Sequence, residues 1–117
     1  VKGRQQMKKV IIFDIVFSFV TDEGLLQTQA LNRKLALLME KNGQHISIET
    51  QDSNKINQYG DQADLILLTP TFAYAKKEIE QKFPQTPVIA ISKKDYGMLN
   101  VEKLYNKIVT TFNEYSF

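Results

Sequence analysis

No cysteine occurs in the 117 residues. That one absence excludes disulfides, thiolate metal sites and cysteine nucleophiles together. Histidine is nearly absent as well: His45 is the only one, so no metal site can be built on histidines. It opens a strand-like stretch, which suits a surface or strand-end role. A strong charge of one sign is also missing. Lysine and arginine total 15 against 13 acids, and the resulting +2 is too small a field to point to nucleic acid. Nor is there a long apolar run. Val10 to Val20 is the longest, but Asp14 interrupts it and it is too short to span a bilayer. No signal-peptide pattern precedes it, which reads as a cytoplasmic protein. No cofactor and no metal is expected. What remains is ordinary for a globular protein, with 43% hydrophobic and 24% charged residues. The length suits one domain that buries roughly two-thirds of its unfolded surface. The polar stretch 1–7, "VKGRQQM", reads as a flexible arm ahead of a single domain over 8–117.

Strand-like and helix-like segments alternate along the chain. Lys8-Lys9 lead into Val10-Ile11-Ile12-Phe13, a short apolar run that reads as a buried strand. Leu31, Leu35 and Leu38 recur at helical spacing, and Asn42-Gly43 is a helix stop. His45 to Glu49 alternates as a half-exposed strand does, and 50–62 is polar and turn-rich, with a helical turn near Ile56 and Tyr59. Ala63 to Thr69 is a continuous apolar run suited to a central strand buried on both faces, and Pro70 stops it. Phe72, Ala75, Ile79 and Phe83 mark one face of a helix whose Lys/Glu face is solvated, Val88 to Ser92 a strand, and "KKDYGMLN" a loop. Asn100 stands where it can cap a last helix with the stripe Val101, Leu104, Tyr105, Ile108 and Phe112. Four strands alternating with three main helices predict an α/β fold. The expected form is a three-layer, doubly wound (Rossmann-like) domain on a four-stranded parallel sheet with right-handed crossovers.

"ADLILLTP", an aromatic-containing helix, "PVIAIS" and "DYGMLNVEKL" follow one another in the second half of the chain. In that order they resemble the IIB component of the lactose/cellobiose class of the bacterial sugar phosphotransferase system (PTS). The run Asp95-Tyr96-Gly97-Met98-Leu99-Asn100 and its distance from Pro70 are the specific part. Element order agrees over roughly 8–112, and motif-level similarity is confined to 63–104. The resemblance implies an IIB-like fold and a small phosphocarrier. In the family a cysteine just past the first strand takes phosphate from the IIA partner. It then passes the phosphate to sugar at the membrane IIC component. The implied partners are therefore IIA and IIC, with peripheral contact to a transporter rather than to lipid. The family's loop is short and rich in Gly, Ser and Thr, so that backbone N–H groups cradle the phosphoryl oxygens.

This chain departs from that pattern where the chemistry belongs. Counting from the strand, Asp14 takes the cysteine's place; counting back from the helix lands near Asp22. The loop is longer than the family's and greasy, Ile15-Val16-Phe17-Ser18-Phe19-Val20, with Gly24 as its only glycine. Bulky β-branched residues resist the converging backbone that an anion needs. The first helix is therefore expected near Gly24 or later, with the apolar residues packed against protein. Three functional readings stand side by side: a diverged phosphocarrier, a protein-binding or regulatory module that passes no phosphate, and an aspartyl-phosphate acceptor at Asp14. The last lacks the acidic pair that holds Mg²⁺ in response-regulator receivers, and a simple turn-forming role for Asp14 competes with it. Candidates for a phosphate loop are Ser18, Thr21, Gly24, Thr69, Pro70 and Thr71. Thr69-Pro70-Thr71 is equally an ordinary helix start, and isolated hydroxyls amid Phe and Val, such as Ser18 and Thr21, are more often local turn partners. Phe17, Phe19, Tyr74 and Tyr96 are candidates for contact with a partner, or half-buried aromatics.

Overall fold

The computed structural model describes residues 7–15 and 23–115. Four strands, β1 (Lys8–Asp14), β2 (Ile46–Asp52), β3 (Leu65–Leu68) and β4 (Val88–Ala90), form one parallel sheet in the order β2-β1-β3-β4. The helices are α1 (Glu23–Lys41), a short α2 (Ile56–Tyr59), α3 (Lys76–Lys82), a short α4 (Lys93–Gly97) and α5 (Val101–Tyr115).

The two-residue period of a strand explains the unbroken apolar runs of β1 and β3, because each face of the sheet has its own core. Val10, Ile12, Leu65 and Leu67 pack against Leu31, Leu35 and Met39 of α1 and against Leu104, Ile108 and Phe112 of α5. On the other face, Ile11, Phe13, Ile66 and Leu68 meet Phe72, Ala75 and Ile79. The expected doubly wound, three-layer arrangement is present.

Several boundaries differ from the sequence expectation, each for a local reason. β2 runs on past Glu49 to Asp52, since Thr50, Gln51 and Asp52 pair with Ile12, Phe13 and Asp14. An edge strand keeps one side in solvent and so tolerates polar residues. The segment 50–62 holds α2 between two single turns of 3-10 helix. The helix after Pro70 is not uniform: Pro70–Ala75 is 3-10, and α-helix begins only at Lys76. "KKDYGMLN", read as a loop, starts with α4. The Ser92 side chain accepts from the Asp95 backbone N–H at 3.0 Å and so caps that helix. α1 is described from Glu23 onward, and Ile15 packs against the core that contains Phe13. Phe17, Ser18, Phe19 and Thr21, with the rest of the apolar loop, lie outside the described residues.

Candidate functional site

In a parallel α/β sheet, the strand C-termini and the loops beyond them form the natural ligand crevice. Asp14 ends β1 at that edge, next to Thr69 at the end of β3. The carboxylate is buried, only 5% exposed, and hydroxyl groups surround it. Thr69 Oγ1 donates to Oδ1 at 2.7 Å and Thr71 Oγ1 reaches the same oxygen at 3.4 Å. From the other side Thr28 Oγ1, in α1, donates to Oδ2 at 2.6 Å.

Thr69 is the N-cap of the 3-10 segment, with Pro70 in its first turn, yet its side chain makes no capping bond. The hydroxyl is aimed at Asp14 instead, and the backbone closes the turn alone through Phe72 N to Thr69 O at 2.9 Å. The Thr-Pro-Thr corner therefore both starts a helical segment and supplies hydroxyls to the strand end.

Tyr96 joins the cluster through Thr28: its hydroxyl lies 2.6 Å from Thr28 Oγ1. Either hydroxyl can be the donor in that second bond, since each carries one proton and accepting lone pairs. The result is a chain of hydrogen bonds that joins Tyr96, Thr28 and Asp14. Burial pushes the Tyr96 phenol above its ordinary ionisation range; Asp14 pushes it the same way, and the Thr28 hydrogen bond opposes both. Gln27 ties the same corner down, with Nε2 donating to the Tyr96 carbonyl at 2.6 Å and the Gly97 carbonyl at 3.3 Å. No buried side-chain polar atom among the described residues lacks a partner.

Of the sequence candidates, the structure brings Asp14, Thr69, Thr71 and Tyr96 together and places Gly24 in the first turn of α1. Tyr74 stands apart from the cluster: it is 78% exposed and packs edge-on to Phe72 with ring centres 5.7 Å apart. His45 is exposed just before β2, where its carbonyl accepts from Lys8 N. Sequence reasoning missed Thr28. Its signal was a polar residue on the apolar stripe of α1, three and seven residues ahead of the fully buried Leu31 and Leu35.

Chemically, the cluster is a carboxylate closed in by neutral donors. A nucleophile must present a lone pair to an incoming electrophile. Both oxygens of Asp14 already accept hydrogen bonds, and the group has little access to solvent. A fixed carboxylate at this edge also repels a phosphoryl anion rather than attracting it. No group of three or more His, Cys, Asp or Glu side chains fit to hold a metal ion occurs among the described residues.

Residues 19–107 match the family described as the PTS system, lactose/cellobiose-specific IIB subunit. The matched stretch is wider than the motifs at 63–104 and begins after Asp14. Two solved structures share the fold. One is the cellobiose-specific phosphotransferase IIB component of Borrelia burgdorferi, 23% identical with a TM-score of 0.65, covering 92% of this chain and 95% of that one. The other is the lactose-specific IIB component domain of the phosphoenolpyruvate:carbohydrate phosphotransferase system from Streptococcus pneumoniae. It is 14% identical with a TM-score of 0.62, covering 90% of this chain and 97% of that one. With three-quarters of its length matched, and with a four-stranded parallel sheet between helix layers, this chain belongs to the lactose/cellobiose-specific IIB family of the sugar phosphotransferase system.

Proposed function

We propose that this protein is a docking module of a lactose/cellobiose-class sugar uptake system, one that binds IIA and IIC components in the cytoplasm without carrying phosphate. The observation that carries this reading is Asp14. At the strand end where the resemblance puts the acceptor thiol stands a buried carboxylate with both oxygens engaged by threonine hydroxyls. The 117 residues contain no thiol that could take over the role. A family member whose acceptor is gone keeps the surfaces that recognise its partners, because fold and docking depend on residues other than the nucleophile. Contact with the transporter is peripheral, and no helix among the described residues is long and apolar enough to cross a membrane.

The test mixes the protein with phosphoenolpyruvate, the general phosphotransferase proteins and a IIA component, then reads its intact mass and its binding to IIA. The expected result is a bound protein with no added phosphoryl group. A hydroxylamine-labile phosphate on Asp14 would sink the proposal and establish an aspartyl-phosphate carrier. Absence of binding to IIA would equally refute it.

A further inference from the structure

Away from the Asp14 cluster, α1 and the turn between α4 and α5 enclose an open groove of about 640 Å³. Its shape follows from the turn. Leu99 sits in the left-handed region at φ 51°, a conformation that favours glycine over residues with a Cβ. Backbone bonds hold it there, Met98 N to Lys94 O at 3.0 Å and Asn100 N to Asp95 O at 2.8 Å. The Asn100 side-chain amide adds a bond to Asp95 Oδ1 at 3.2 Å. The turn packs Leu99 against the core and leaves Met98 pointing outward, 70% exposed. Across the groove Leu37 of α1 is 58% exposed. These are two of the largest apolar exposures among the described residues, and they flank one cavity.

Charge on the two walls is opposite in sign. Lys34 and Lys41, one turn either side of Leu37, belong to the α1 wall, and Glu102 belongs to the α5 wall. None of the three takes part in an ion pair among the described residues.

We propose that this groove is the contact between two copies of this chain related by a twofold axis. An isologous interface needs a patch that complements itself. Here a twofold rotation sets the lysine wall of one copy against Glu102 of the other, twice, and offers the protruding Leu37 and Met98 of each copy to the cavity of its mate. A partner with a uniformly acidic surface meets repulsion at Glu102, and a uniformly basic one meets it at Lys34 and Lys41. A second copy satisfies both walls. The inference does not depend on whether the protein carries phosphate.

Sedimentation velocity on the full chain from roughly 1 μM to 1 mM tests it. The wild type should dimerise reversibly within that range. Leu37→Glu, an exposed substitution that spares the core, should weaken the dimer by about tenfold or more. Glu102→Lys alone, and Lys34→Glu with Lys41→Glu, should each be monomeric, since each makes the patch repel itself. Mixed together, those two variants should form a heterodimer, because every charge contact becomes complementary again. A wild type that stays monomeric throughout overturns the proposal. So does a dimer that ignores these substitutions, or a variant mixture that fails to associate.

Discussion

Thr28 donates its hydroxyl proton to Asp14 at 2.6 Å, joining the second turn of α1 to the end of the central strand. The same hydroxyl is hydrogen bonded to that of Tyr96, so it joins three elements of the fold. Thr28→Val keeps the shape of the side chain and removes that group. Asp14 Oδ2 and the Tyr96 hydroxyl then lose a shared partner in a buried place, which costs about 1–3 kcal/mol. The expected readout is a lower urea midpoint with an unchanged slope, restored for the most part by Thr28→Ser. A valine variant as stable as the wild type would show that the hydroxyl contributes nothing net.

Asp14→Asn is nearly isosteric and turns one acceptor into a donor. The amide NH₂ must face either Thr28 or Thr69, and that hydroxyl must turn to accept. Hydroxyl rotors allow this, so the loss of stability should be about 1 kcal/mol. Binding to IIA, measured by calorimetry, should be unchanged, because the carboxylate is buried. Loss of IIA binding in a folded Asp14→Asn protein would make Asp14 part of the recognition surface.

Much of this architecture is legible in the sequence, and what is not has physical causes. The unbroken runs Val10–Phe13 and Leu65–Leu68 announce strands buried on both faces, and the stripe Val101, Leu104, Ile108 and Phe112 announces α5. Residues 95–100 carry the family resemblance and build a defined turn: Asp95 and Asn100 are hydrogen bonded, and Leu99 takes the left-handed backbone. Five-residue α4 escapes a periodicity argument because it is too short to show a stripe, although the Ser92 cap three residues before Asp95 was there to read. Thr28 becomes meaningful only once α1 is laid on the sheet. Its partners lie 14 and 68 residues away along the chain, and spacing alone cannot reveal such a pairing.

Gly43 takes φ 69° just after α1, where its N–H bonds the Glu40 carbonyl at 3.1 Å. A Cβ there would meet no neighbour within 4 Å, so only the backbone opposes a larger residue. Gly43→Ala should therefore destabilise by about 1 kcal/mol through the left-handed penalty. Gly43→Asn should cost less, since asparagine tolerates that region. Thermal midpoints of the two variants check the order, and alanine equal to or above asparagine would refute it.

Tyr96 offers the most direct probe of the hydroxyl chain, because its ionisation can be followed optically. Burial holds the phenol above its ordinary value of 10.0, Asp14 adds to that, and the Thr28 hydrogen bond works against both. The folded state therefore keeps this proton more tightly than the unfolded chain does. The matching stability is fully present below the unfolded value and drains away as pH rises through the folded one. Tyrosinate absorbance of the wild type minus that of Tyr96→Phe isolates this group from the other four of the five tyrosines. The difference curve should rise later than the remaining tyrosines. Asp14→Asn should bring it earlier by removing a negative neighbour, and Thr28→Val should delay it by removing the bond that favours the phenolate. If the two variants shift the curve in the same direction, the chain from Tyr96 through Thr28 to Asp14 is not what sets this ionisation.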